Sequence, residues 1–209
     1  MIAEPDVALT DYGLVVECGV FSWCLDRTSP AGRWFATFFA ATAAAALVGG
    51  TVHGFFPDTD ALASRLLWQA TLLGIGMTAL AGWAAGAHLL LPGARTRWLV
   101  RAALVEFVGY AVLVLSGTQA FRVAVYDYLP AALFLLLGFA FTFARTLERP
   151  ALLGALGLGL TLIASAVQQG GTALDTRWLD HNAIYHVIQG VALALVFVGA
   201  RAVARRTAC

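Results

Sequence analysis

The sequence predicts an all-α fold, a single integral membrane bundle of seven transmembrane helices over residues 1–209, with the N-terminus outside and the C-terminus cytoplasmic. Three observations predict it. Hydrophobic residues make up 60% of the chain and charged residues only 12%, where a soluble domain carries about a quarter charged. The apolar residues fall into blocks near the length that crosses a bilayer, about 20 residues each. Arginine, finally, is divided unevenly between alternate loops, as the basic excess on cytoplasmic segments requires.

The first span is expected from Leu9 to Leu25. It carries Glu17 near its middle and is closed by Asp26, Arg27 and Pro30. The second, rich in alanine, runs from Trp34 to Phe55 and ends before Pro57 and Asp58. The third runs from Leu62 to Leu91, long enough to tilt, and Pro92-Gly93 ends it. The fourth, Trp98 to Leu115, holds Glu106. The fifth, Phe121 to Ala144, has Asp127 near its start and Pro130 inside, where a kink is expected. The sixth runs from Pro150 to Val167, with proline in its first turn. The seventh runs from His181 to Val203. Spans and short loops use up the chain, leaving no room for a separate soluble domain.

Placing the N-terminus outside puts ten arginines on inner segments and three, Arg65, Arg122 and Arg177, on outer ones. The opening MIAEPDVALTD is acidic and has no basic region before its apolar run, which argues against a cleaved signal peptide. Trp34 and Trp98 then fall at the inner interface, Trp68 and Trp178 at the outer one. Gly82 and Gly86 in span three, and Gly154, Gly157 and Gly159 in span six, are expected to mark close helix contacts.

Composition also excludes. Every basic residue is arginine, and the absence of lysine rules out a retinal Schiff base. The net charge of +1 does not point to nucleic acid. Cys18, Cys24 and Cys209 suggest no disulfide framework. The arginine-only, alanine-rich composition points to a bacterial inner membrane, with lipids as the surrounding partners.

The informative polar residues collect in two fragments, GGTVHGF at residues 49–55 and WLDHNAIYHVIQ at residues 178–189. Ionisable groups inside a membrane are costly and mark functional sites by default. His53 ends span two on the outer side, and His181 and His186 begin span seven on the same side. Asp127, Gln168 and Gln169 lie toward it as well, so polar groups from several spans are expected to converge in the outer half. Asn182, His186 and Gln189 follow i, i+4, i+7 and share a helix face. His181 and His186 lie about 140° apart on a regular helix, so both reach one metal only if His181 precedes the first turn. Tyr185 and Asp180 complete the polar set, and Glu17 or Asp180 is the candidate acid-base group. Glu106 and Tyr110, one turn apart, are expected to bond each other.

A histidine ending span two and a polar-x-x-x-His pair opening span seven resemble the CREST superfamily of membrane hydrolases, which includes alkaline ceramidases and adiponectin-receptor-like proteins. The resemblance implies a zinc ion held by His53 and His186, and cleavage of a lipid amide or ester. His181 or Asn182 is the candidate auxiliary. Two positions depart from that pattern. Asn182 stands where the first histidine of the pair belongs, and Gly49 where a serine is expected. The same fragments are also similar to an uncharacterised family of bacterial multi-pass proteins. Beside the hydrolase stand two other classes. One is a sensor, receptor-like or assembly protein whose His/Asn/Gln cluster locks the bundle or binds a small ligand. The other is a proton-coupled transporter using Glu17, Glu106 and Asp127.

The orientation is testable by fusion. Green fluorescent protein at the C-terminus is expected to fluoresce and alkaline phosphatase there to stay inactive. The reverse pattern would invert the bundle.

Overall fold

A computed structural model of the chain describes residues 2–171 and 180–206. Among the described residues there are seven helices: α1 (Pro5–Cys24), α2 (Pro30–Phe55), α3 (Leu62–Leu90), α4 (Gly93–Leu115), α5 (Phe121–Thr146), α6 (Arg149–Gln169) and α7 (His181–Arg206). Each is long and apolar enough to cross a membrane, which makes the protein a multi-pass integral membrane protein. The belt residue Trp178, together with Arg177 and Cys209, lies outside the described residues.

The helices match the expected spans, and α3, α5 and α7 begin at the residues expected, while three others begin a turn or so earlier. α1 starts about one turn before Leu9, α2 at Pro30 and α4 at Gly93. Hydropathy marks only the part of a helix that sits in hydrocarbon, while polar end turns extend into the headgroup layer. Proline opens α1, α2 and α6, where its missing N–H and fixed φ cost nothing. Ser29 caps α2 by accepting the Gly32 N–H at 3.1 Å. Leu147, at φ 54°, ends α5 in the left-handed region. α5 continues through Pro130 as a single helix.

Short connections make sequential helices antiparallel. α1, α3, α5 and α7 therefore start at one end of the bundle, with the arginine-poor loops, and α2, α4 and α6 start at the other. α2 packs between α1 and α3, α3 also against α5, α6 against α7, and α4 against α3. At the arginine-rich end the Ser29 hydroxyl donates to the Ala204 carbonyl at 3.4 Å, and Arg206 pairs with Glu148.

An aromatic cluster holds that half together. Phe21 of α1 stacks on Phe197 of α7 at 4.3 Å and meets Phe39 of α2 edge-on at 5.5 Å. Phe39 meets Phe197 at 6.0 Å, closing the triangle. Each such pair contributes roughly 0.5–1.5 kcal/mol beyond the area it buries. The small-residue motifs act as contacts: Gly82 and Gly86 of α3 face Ala131 and Phe134 of α5. Gly157 lets α6 approach the backbone of α7, where a Cβ would stand 2.5 Å from the Ala192 carbonyl oxygen. Gly159 differs, having open space around it.

Gly157→Val is therefore expected to destabilise the protein by about 1–3 kcal/mol or more through overpacking, and Gly159→Val to leave it unchanged. Thermal unfolding in detergent checks both. Equal melting temperatures for the two variants would contradict the close α6–α7 contact.

Candidate functional site

The arginine-poor half is built differently from the aromatic half. Its centre is a contact between the first and the last helix. His186 Nε2 lies 3.4 Å from Asp11 Oδ1, and His186 Nδ1 lies 3.1 Å from Thr10 Oγ1. Thr10 sits within 3.0 Å of the Asp6 and Val7 carbonyls of its own helix, to which its single hydroxyl hydrogen is donated. With its hydrogen so used, Thr10 offers a lone pair to a His186 Nδ1–H. In that arrangement Nε2 faces the Asp11 carboxyl across 3.4 Å, within reach of electrostatic contact. Asp11 is only 5% exposed. Its place depends on α2: Gly50 passes so close that a Cβ there would come within 2.8 Å of the Asp11 Cβ.

Beside this pair lies a cavity of about 140 Å³. Among the described residues its walls come from every helix except α4. α1 contributes Asp11 and Leu14, and α7 contributes Tyr185, His186 and Gln189. α2 and α3 contribute threonines, Thr42 from the one and Thr71 and Thr78 from the other. α5 supplies Phe121 and Tyr128, and α6 supplies Leu162, Ser165 and Gln168. Gln189 is 5% exposed and its Oε1 has no hydrogen-bond partner, which is costly for a buried acceptor.

His53 borders the same cavity from the end of α2. Its Nδ1 contacts Glu4 Oε2 at 2.6 Å, and its ring meets Trp68 edge-on at 5.9 Å. The chain before α1 is tied to this corner, because the Ala3 and Glu4 N–H groups donate to the Gly54 and His53 carbonyls at 3.0 and 3.2 Å. His53 and His186 thus meet around one space, from opposite ends of the sequence.

The other expected site residues stand elsewhere. His181 opens α7 at 3.9 Å from Asp180 and does not line the cavity. Asp180 caps α7 by accepting the Ala183 N–H at 2.8 Å, and its own N–H reaches Asp6 at 3.4 Å. Asn182 accepts from Gln168 at 3.2 Å. Glu17 lies at the α1–α7 crossing, where a Cβ on Gly190 would be 3.1 Å from its Oε2, and it does not line the cavity either. Asp127 lies against Glu106 of α4, away from the cavity lining. Tyr110 does not bond Glu106; its hydroxyl donates to the Leu72 carbonyl at 2.9 Å, pinning α4 to α3.

This geometry decides how well zinc fits. Among the described residues no three His, Cys, Asp or Glu side chains converge as a ligand set. Both ring nitrogens of His186 are engaged within α1, Nδ1 of His53 is engaged by Glu4, and His181 stands apart. The residues present do not fit the ion as arranged.

Thr10 and Asp11 were not legible as site residues from hydropathy, because a span opening at Leu9 makes them look like headgroup acids and their neighbours. Pro5 was the available signal. A helix opening there carries Asp11 nearly two turns inside.

Fold and site together define a seven-helix membrane protein with a largely apolar cavity, edged by polar side chains, off-centre in the bundle. Its sequence matches the model of a family of unknown function, DUF6962, over residues 7–205, and the chain belongs to that family. No curated protein and no solved structure matches it.

The Asp11–His186 contact predicts energetic coupling between the first and last helices. In a double-mutant cycle with Asp11→Asn and His186→Gln, the coupling is expected at about 0.5–3 kcal/mol, the range for residues in direct contact. Additive effects on unfolding would remove the pair.

Proposed function

We propose that the chain is a membrane-embedded binding protein, receptor-like or sensor-like, whose cavity takes a small ligand. One observation carries this: six helices enclose a common space with Asp11, His186 and Gln189 at its wall. A polar group left without a partner costs several kcal/mol in lipid, and a ligand that satisfies Gln189 recovers that cost. A ligand touching the Asp11–His186 pair bears directly on how α1 and α7 sit together, which gives binding a route to a change in the bundle. The partner on this view is a small molecule, with membrane lipid as the surrounding medium.

Native mass spectrometry of the protein released from detergent checks this, joined to a thermal-shift screen of chemically varied small molecules. A bound mass or a stabilising ligand is expected for the natural sequence. Ser165→Trp, which fills the cavity from α6, is expected to lose it while keeping the melting temperature of the empty protein. No ligand from any chemical class, and no difference in Ser165→Trp, would remove the proposal.

A CREST-like metal-dependent hydrolase of a lipid amide or ester is the second reading. What favours it is that His53 and His186 border one cavity beside Asp11. It requires a third donor to close on the ion. Elemental analysis of protein purified without chelator or metal-affinity tag tests it. One zinc per chain, lost in both His53→Ala and His186→Ala, would establish it over the binding protein.

A further inference from the structure

The walls of the cavity also say what chemistry the ligand carries. Resting on the binding role proposed above, we infer that the cavity takes a small cationic amine with an apolar body about the size of one ring.

Size comes first. An apolar cavity of about 150 Å³ takes up one benzene ring, and this one measures about 140 Å³. Leu14, Ile75 and Leu162 supply apolar wall for such a group.

Polarity comes next, and it is one-sided. A threonine hydroxyl has one hydrogen and two lone pairs. Thr42 donates to the Phe38 carbonyl at 2.9 Å, Thr71 to Leu67 at 3.1 Å and Thr78 to Gly74 at 3.0 Å. Thr42 and Thr78 also face each other at 3.3 Å, so any hydrogen shared between them stays within the wall. All three therefore have lone pairs, and no hydrogen, left for a guest. Gln189 lines the cavity and holds a buried carbonyl oxygen without a partner, which a small side-chain turn would bring to a guest, and Asp11 adds a carboxyl group. His186 has both nitrogens occupied by α1. His53 gives its Nδ1–H to Glu4, leaving Nε2 an acceptor in the neutral ring. The hydroxyls of Tyr128, Tyr185 and Ser165 serve either way. Among the described residues no arginine lines the cavity, and the chain has no lysine.

Such a wall discriminates by charge. An anionic guest finds a carboxyl group and no fixed cation. A neutral alcohol satisfies one acceptor and leaves the others bare. A protonated primary amine brings three N–H donors to these acceptors and sets its charge beside the Asp11 carboxyl group. The rings of Trp68, Phe121, Tyr128 and Tyr185 line the same space and are of the kind that attracts a cation.

The test uses three probes of one shape, benzylamine, benzyl alcohol and benzoate, titrated calorimetrically against the protein in phosphatidylcholine nanodiscs. Benzylamine is expected to bind at least about tenfold tighter than benzyl alcohol, the effect of one charge-assisted hydrogen bond, and benzoate not to register. Asp11→Asn is expected to erase the preference for the amine. Gln189→Leu, which keeps the volume and removes the acceptor, is expected to weaken benzylamine about fivefold or more with the melting temperature held. Benzyl alcohol or benzoate binding as tightly as benzylamine, or a preference for the amine that survives Asp11→Asn, would overturn the amine while leaving a binding cavity in place. Silence from all three probes, with Ser165→Trp indistinguishable from the natural sequence, would overturn the cavity's binding role itself.

Discussion

A polar group in hydrocarbon has no water to turn to, so it must find its partner inside the protein. The arginine-poor half of this bundle is an arrangement around that constraint. Asp11 enters nearly two turns into α1, and among the described residues it faces His186 of α7, with Thr10 meeting the other side of that ring. Gly50 gives α1 the room to come that close to α2. The cap of α7 by Asp180, and the reach of the Asp180 N–H to Asp6, hold the same two helix ends together. First and last helices are therefore joined at both ends, by polar contacts at one and by the Phe21–Phe197 stack toward the other.

The two halves divide the work between packing and polarity. The aromatic half is filled, with Phe35, Phe38, Phe39 and Phe139 all essentially without exposure. The other half keeps a space in which threonines, glutamines and a tyrosine pair replace phenylalanines. α4 stands apart from both. It leans on α3, pinned by the Tyr110 hydroxyl, and gives nothing to the cavity wall. A ring closed by α1, α2, α3, α5, α6 and α7 is the working unit, and α4 is an outer support.

Hydropathy made the seven helices legible, because a run of apolar residues of bilayer length has few other uses. It also picked out His53 and His186, since a histidine inside such a run stands out against its neighbours. The shared face of His186 and Gln189 followed from helical spacing and holds, while Asn182 on the same face turns to Gln168. Partner choice across helices was not legible. Glu17 stood out as strongly as any residue, yet it faces Gly190 at a helix crossing. Asp11 looked like one more acid at an acidic terminus, yet it holds the centre. Periodicity reports which way a side chain points on its own helix, and packing between distant helices decides what it meets.

The threonines that back-bond to their own helices have a kinetic meaning as well as a chemical one. A hydroxyl free to rotate must be reoriented when a guest arrives, and that reorientation costs time and free energy. Here the hydroxyl hydrogens of Thr42, Thr71 and Thr78 are committed to carbonyls one turn back, so the dipoles on the wall are set before anything enters. Those three dipoles are fixed in sign, while the Tyr128, Tyr185 and Ser165 hydroxyls around them can still turn.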